Sequence, residues 1–308
     1  MLSEKIYDVV AVGHILVDIR FIVNRFAGPD EEAAIISQTR GTGGSAANVA
    51  IGVSRLGGRS AIIAKIGLDS FGRIAIEELM KENVDVSGVR VSFKDTGFSI
   101  VIIDNEGKIA MYGFKGAAEE LEPEEVDVNI IRKARAVHIA SLRIDTSVHA
   151  ASIAKKHGSI VSWDPGRRLS EKGLDYFKEL LKHVDIVLVN RKEAKNLTSL
   201  EDYKEAARQL SKYGPRVVIV KRGSEGVYAL MNETEYDIPA FKVEKTVDTT
   251  GAGDAFASGL LLGLIKGYDP RKALLYGNAV AALKIQRLGS HNVPSHEEVV
   301  KYIWEKLS

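Results

Sequence analysis

Short apolar runs rich in β-branched residues recur along the chain and alternate with stretches of helical spacing. IYDVVAVG ending at Gly13, SAIIAKIG ending at Gly67 and AVHIA from Ala136 to Ala140 open the series. SIVSW around Val161, DIVLV from Asp185 to Val189 and RVVIVK ending at Lys221 continue it, followed by a short strand from Gly226 to Leu230. Runs of this length without polar alternation fit strands buried on both faces. Between Ser45 and Leu56, the positions Ala46, Ala47, Val49, Ala50, Val53 and Leu56 mark the apolar stripe of a helix. Ser70 reads as the cap of a second helix carrying Phe71, Ile74, Ala75 and Leu79. Further helices are expected from Tyr203 to Tyr213 and from Arg271 to Arg287. This alternation predicts an α/β chain with a largely parallel sheet covered on both faces.

Two stretches break the rhythm. Residues 19–39 and 93–114 read as small strands joined by turns, and Asp104, Asn105, Glu106 and Gly107 punctuate the second as a hairpin. Inserted after core strands, they are expected to form a small discontinuous β lid over a pocket. No repeat or low-complexity linker divides the 308 residues, which are expected to form a single unit.

Composition narrows the function classes. At 45% apolar and 27% charged residues, the chain has ample material for a large core. The absence of Cys excludes a disulfide framework, a thiolate nucleophile and thiolate-held metals. Lys and Arg total 42 against 41 acidic residues, so no bulk positive field favours nucleic acid. The leading segment MLSEKIYDVVAVGHI has neither a secretory h-region nor a bilayer-length uncharged span, so a cytoplasmic protein without membrane association is expected. The seven histidines form no HExxH pattern.

Candidate chemistry concentrates in VDTTGAGDAFASGLLLGL, from Val247 to Leu264. Gly251, Ala252 and Gly253 can bring backbone close to an anion at the start of a helix, where N–H groups are free. Asp254, at the same turn, is placed to take a proton from a substrate hydroxyl. A tight loop capped by an ordinary Asp has the same local sequence. There is no GxxxxGK[ST] loop and no complete GxGxxG pattern, so a nucleotide site must use another arrangement.

A second signature, GGSAANVAIGVSRLGG from Gly43 to Gly58, precedes DTTGAGDAFASGLL, from Asp248 to Leu261. With both in this order, the chain resembles the ribokinase-like, or PfkB, family of carbohydrate and nucleoside kinases over essentially its whole length. The resemblance implies a three-layer α/β sandwich with a mostly parallel central sheet and a small β lid. It also implies ATP-dependent, Mg²⁺-requiring phosphorylation of a hydroxymethyl group on a small sugar or sugar derivative. In that reading Asp254 is the base, Gly251 to Asp254 form the oxyanion loop, and Asp18, Gly43, Gly44 and Asn48 meet the acceptor. The residue types suit the task, because a carboxylate accepts from sugar hydroxyls, Asn donates and accepts, and a Gly pair permits close approach.

The resemblance extends to the nucleotide side. In VLVNRKEAKNL the family's N-x-x-E matches Asn190 and Glu193, implying that Glu193 orients water around Mg²⁺ and Asn190 meets a phosphate or its hydration shell. Read alone, the pair is a helix cap and a first-turn charge. In KRGSEGVY, Lys221, Gly223, Ser224 and Gly226 are candidates beside the nucleotide, while Lys221 and Arg222 fit a salt bridge or solvated turn equally well. Asn278 resembles the residue beside adenine. Asp248 and Thr250 match a monovalent-cation site, taken as K⁺, whose other ligands would be carbonyls between Lys284 and Ser295. Asp164 in WDPG reads as a strand exit near the cleft or as a cap, His14 as a substrate contact or a core polar group, and His138 and His157 as structural.

The acceptor is less sharply specified. Where the ribose pattern places an acidic contact, this chain has Ser141, Leu142 and Arg143. VGHILVD, KGAAEEL and VSWDPG resemble archaeal nucleoside kinases, with Phe98, Met111 or Phe114 available to pack over a base. A sugar-phosphate kinase would use Arg143, Arg167 or Arg168 for a second phosphate. A non-catalytic sugar- or nucleotide-binding regulator is the non-enzyme alternative, and retention of Asp254 and the anion loop speaks against it. Exposed lid edges are expected to pair two copies into a homodimer.

Overall fold

The structure is a computed structural model that describes residues 4–307. Its larger sheet uses β1 (Tyr7–Gly13), while β2 (Leu16–Val23) and β3 (Ile35–Gly43) belong to a smaller one. β4 (Ser60–Gly67) and β5 (Asp85–Ser92) return to the larger sheet, and β6 (Thr96–Ile103) and β7 (Ile109–Gly116) complete the smaller. β8 (Ala134–Ala140), β9 (Ile160–Asp164), β10 (Ile186–Asn190), β11 (Val217–Lys221), β12 (Val227–Met231) and β13 (Thr234–Ile238) extend the larger. The helices are α1 (Ser45–Arg55), α2 (Ser70–Lys81), α3 (Val128–Ile131), α4 (Ile144–Lys156), α5 (Gly166–Ser170) and α6 (Lys178–Leu181). They continue with α7 (Arg191–Thr198), α8 (Tyr203–Ser211), α9 (Ala252–Ile265), α10 (Pro270–Lys284) and α11 (His296–Leu307).

The larger sheet runs β13-β12-β11-β10-β9-β8-β1-β4-β5. Pairing is parallel from β11 through β5, and β12 and β13 add an antiparallel edge. Apolar side chains cover both faces, as the unbroken apolar runs require. Val10, Val12, Ile139 and Val187 pack toward Ala150, Leu180, Ala194 and Ala206 on one face. On the other, Val9, Leu188 and Ile219 meet Val49, Leu260 and Leu274, so α1, α9 and α10 share a layer. Strand order reverses at β1, which passes to β4 on one side while the later strands build out from β8 on the other. The ends of strands flanking such a reversal open onto a crevice, where ligands bind in sheets of this kind.

The smaller sheet runs β3-β2-β6-β7. Its outer pairs are antiparallel and its central pair, β2 with β6, is parallel, so the two irregular stretches of the sequence meet in one unit. The strands extend beyond 19–39 and 93–114, because β2 starts at Leu16 opposite Gly43 and β7 runs on to Gly116 opposite Thr96. The hairpin between β6 and β7 is closed by Asp104, whose Oδ1 accepts from the N–H groups of Glu106 (2.9 Å) and Lys108 (2.8 Å). Phe98 joins this sheet to α2 through an edge contact with Phe71.

The cap of α2 is Asp69, one residue before the Ser70 expected from sequence. Its Oδ1 accepts from Gly72 N–H at 2.8 Å and its Oδ2 from Thr96 N–H at 2.6 Å. A carboxylate offers two acceptors where a serine hydroxyl offers one group, so Asp69 can cap α2 and hold the start of β6 together. Asp69→Ala is expected to lower unfolding free energy by about 2 kcal/mol, combining a lost cap with an unpaired strand N–H. Urea unfolding measures this, and a loss within error of zero would contradict the double role.

Candidate active site

The start of α9 is fixed by one close approach. Gly251 has φ 76°, and a Cβ there would lie 2.0 Å from the carbonyl oxygen of Ser290. Glycine alone fits. The helix has no side-chain cap, and Ala252 N–H donates back to Thr249 O at 3.1 Å. The anion loop expected from sequence therefore rests on the N–H groups of Gly253 and Asp254, which have no carbonyl a turn below them. Their positive end of the helix faces the crevice.

Asp254 lies in that first turn, reachable from the crevice yet crowded by protein. Its Oδ2 accepts from Asn48 Nδ2 at 2.7 Å, and Ser45 adds a hydroxyl donor from the first residue of α1. Burial pushes its pKa up to about 6; Asp164 pushes the same way, while Asn48, Lys221 and Ser45 oppose. Asn48 is buried, and its Oδ1 has no partner among the described residues.

Beside Asp254 lies a cluster that local sequence does not reveal. Lys221, at the end of β11, donates to Asp164 Oδ2 at 2.6 Å, and Asp164 Oδ1 also accepts Gly166 N–H at 3.0 Å. Burial works against the Lys221 charge, but Asp164, Glu193 and Asp254 together hold the ammonium above its ordinary value. Glu193 is raised by burial and then by Asp164. Asn190 and Glu193 form a reciprocal cap on α7: Glu193 N–H donates to Asn190 Oδ1 at 2.9 Å, and Asn190 N–H to Glu193 Oε2 at 2.8 Å. The capping reading of N-x-x-E is thus present, and the cap also aims Glu193 into the cluster. This set of hard oxygen donors fits a hydrated Mg²⁺. Among the described residues, no group of three or more His, Cys, Asp or Glu side chains is placed to hold a metal ion directly, so contact would run through water.

On the acceptor side, Asp18 lies opposite Ser99 in the small sheet. Its Oδ1 accepts from Ser99 Oγ at 2.5 Å and its Oδ2 from Ser290 Oγ at 3.0 Å. A Cβ on Gly43 would sit 2.4 Å from this carboxylate, and one on Gly44 2.4 Å from His14 O. The missing side chains of both glycines make room for protein neighbours. His14 is buried and held neutral, its pKa lowered to about 3 by burial, then by Lys115 and Arg168. A cavity of about 590 Å³ opens behind Asp18 against Arg20, Thr42, Glu78 and His291, and none of Asp254, Glu193 or Lys221 lines it.

The remaining candidates are more dispersed. Asp248 Oδ1 accepts Thr250 N–H at 2.9 Å, Oδ2 accepts Gly289 N–H at 3.0 Å, and Lys284 Nζ donates to the Asp248 carbonyl at 2.7 Å. The Asp248 oxygens expected to bind K⁺ are therefore already engaged by protein donors. Asn278 Nδ2 donates to the carbonyls of Pro239 (3.0 Å) and Ile238 (3.4 Å), tying α10 to the end of β13. Gly226, with φ 91°, makes room for Ile238 O; Gly223 and Ser224 are exposed at the neighbouring turn. Arg222 pairs with Asp237, and Arg143 with Asp145.

The model for pfkB family carbohydrate kinases matches residues 7–297. The chain belongs to this family. Over 300 residues it is 38% identical to an ATP-dependent ribose-1-phosphate kinase from Halopiger xanaduensis, spanning 97% of this chain and 99% of the relative. A nucleoside kinase from Methanocaldococcus jannaschii is 29% identical over 97% of this chain and 98% of its own. The structure of Arabidopsis thaliana ribokinase complexed with ribose and ATP superposes with a TM-score of 0.87 at 26% identity, covering 96% of this chain and 98% of that one. The protein is an ATP-dependent kinase of the sugar and nucleoside class, with the ribokinase fold. Among the described residues no helix is long and apolar enough to cross a membrane.

For this kinase, Asp164 and Lys284 are only weakly marked in the sequence, Lys115 appears there only at the head of KGAAEEL, and Ser45, Ser99 and Ser290 are unmarked. The available signal for Asp164 was its place at the end of a parallel strand; the serines carried none. In the folded kinase the carboxyl of Asp254 is expected to titrate near 6, and Asn48→Ala to move that midpoint upward by removing a donor to the charged form. Carbon-13 NMR of labelled Asp carboxyls reads both values. A midpoint near the ordinary ~4 would contradict the crowded environment.

Proposed function

We propose that this kinase transfers the γ-phosphoryl group of ATP to a hydroxymethyl oxygen of a sugar that already carries an anionic group. The observation that carries the transfer chemistry is Asp254, a carboxyl with pKa near 6 set in the open first turn of α9. Ionised at neutral pH, it takes the hydroxyl proton as the acceptor oxygen bonds to phosphorus and ADP leaves. The N–H groups of Gly253 and Asp254 face the charge spread over the transferring oxygens. Asn48 holds Asp254 in place and keeps Oδ1 for an acceptor hydroxyl. Asp18 takes further sugar hydroxyls. Glu193 and Asp164 would hold water around Mg²⁺, which with ATP would neutralise phosphate charge. Lys221 reaches the phosphates from their midst, and Asn190, Gly223, Ser224, Gly226 and Asn278 border the nucleotide.

Lys115 favours an anionic acceptor over a nucleoside. It lies on β7 opposite Gly97, between the Phe98–Phe114 and Thr96–Gly116 pairs, and so shares the sheet face of Ser99 and Asp18. Half-buried, its ammonium has no hydrogen-bond or ion-pair partner among the described residues, and Arg168 adds a second positive charge. Arg168 is already paired with Glu119 at 3.3 Å, so an anionic group entering beside Asp18 gives Lys115 the partner it lacks. The 38% identity to a ribose-1-phosphate kinase supports the same class.

The smaller sheet acts as a lid that excludes water during transfer. Its edges carry exposed Ile35, Ile36 and Tyr112, which favours pairing of two copies there. ADP release with Mg²⁺-ATP, measured against ribose 1-phosphate, free pentoses and hexoses, and nucleosides, tests the acceptor. Turnover is expected to be fastest with the phosphorylated sugar, and Lys115→Met to raise its KM about 10–100-fold. Preference for a nucleoside together with a neutral Lys115→Met would sink the anionic-acceptor reading. Asp254→Asn is expected to cut kcat about 10²–10⁴-fold at little change in KM, and near-normal kcat with rate-limiting chemistry would remove Asp254 as the base.

A further inference from the structure

We infer that the ammonium of Lys284 stands in the place of a monovalent cation beneath the anion loop, so that this kinase holds the loop without K⁺. The inference rests on the kinase reading above and concerns what organises its site. Lys284 is the last residue of α10 and is 0% exposed. Its Nζ donates to the Asp248 carbonyl at 2.7 Å. The N–H groups of Val247 and Asp248 donate to Ile285 O, at 2.8 and 3.1 Å. The segment entering the loop is thus fastened to the end of α10 through both its N–H groups and its carbonyl.

From there the order propagates to the reacting groups. The Asp248 carboxylate accepts Thr250 N–H and Gly289 N–H, and Gly251 turns beneath Ser290 O to start α9. A potassium ion would need several oxygens directed at one point. Here the Asp248 carbonyl is taken by an ammonium, each carboxylate oxygen by an amide, and Arg20 lies 3.4 Å from Oδ2. An added cation would meet two resident like charges at short range. An ammonium offers unit positive charge and three donors in a covalently tethered form, so the site is charged without any dissolved ion. Lys284 touches no reacting atom and acts through Asp248 and the loop, as a positioning residue.

The test compares wild type and Lys284→Ala in potassium chloride and in choline chloride at matched ionic strength. Wild-type kcat and melting temperature are expected to be the same in both salts. In choline, Lys284→Ala is expected to lose kcat about 10–100-fold, the range for removing a hydrogen bond to a charged group; in potassium it should regain activity and melt higher. Selective rescue by K⁺ is a response that a merely structural lysine would not give. Activation of wild type by K⁺ overturns the inference, as does a folded Lys284→Ala that is fully active in choline. A folded variant whose lost activity no monovalent cation restores also overturns it. If Lys284→Ala does not fold, Lys284→Gln keeps a donor to the carbonyl and takes its place, and the wild-type arm stands alone in any case. Should no acceptor be turned over, the kinase reading has failed, and the melting comparison still decides whether K⁺ enters the emptied position.

Discussion

The contact between Ser290 O and the bare Cα of Gly251 is the constraint on which the site depends. It brings a carbonyl from the segment after α10 against the residue that opens α9, at a distance that admits no side chain. The left-handed turn this enforces aims the first turn of α9 at the crevice, and Asp254 is in that turn because of it. Ser290 also donates through its hydroxyl to Asp18, so one residue sets the positions of the Asp18 carboxylate and the Gly251–Asp254 loop together. Any relaxation at this contact would be felt on both sides of the reaction.

Charge is distributed around the crevice in opposed groups. At one end, Asp164, Glu193 and Asp254 surround the single ammonium of Lys221, an excess of negative charge of the kind that suits a divalent ion. Glu193 and Asp254 respond by holding their protons more tightly than ordinary carboxyls do. Around Asp18, burial first and then Lys115 and Arg168 keep His14 neutral, and Arg168 is paired with Glu119.

Much of this was legible in the sequence, because buried parallel strands and amphipathic helices write their periods into adjacent residues. The apolar runs of β1, β4, β8, β10 and β11, the stripe of α1 and the GAGD turn are local signals of that kind. What sequence withheld depends on partners distant along the chain. Asp69 displaces Ser70 as a cap because it also binds β6, and Asn190 and Glu193 form both a cap and part of the cluster. Lys221 meets Asp164, and Lys284 meets Asp248, through folds of the chain that no residue spacing announces. The strands of the smaller sheet read as irregular stretches, but the parallel pairing of its central two is a property of the assembled sheet.

That parallel pairing of β2 with β6 also fixes a parity. Asp18 shares a face with Ser99, while Val17, one step away, is paired with Phe98 and looks the other way. A single inserted or deleted residue in either excursion would exchange the faces, bringing the phenylalanine toward the acceptor carboxylate and sending the serine to the far side. Length changes that keep these faces are therefore even steps, a bulge such as the one already present between β2 and β3 at Ile22/Val23, or changes within the turn after Asp104. The acceptor pocket can be retuned by substitution at fixed positions far more readily than by changes in strand length, and that restricts the paths by which this scaffold can acquire a new acceptor.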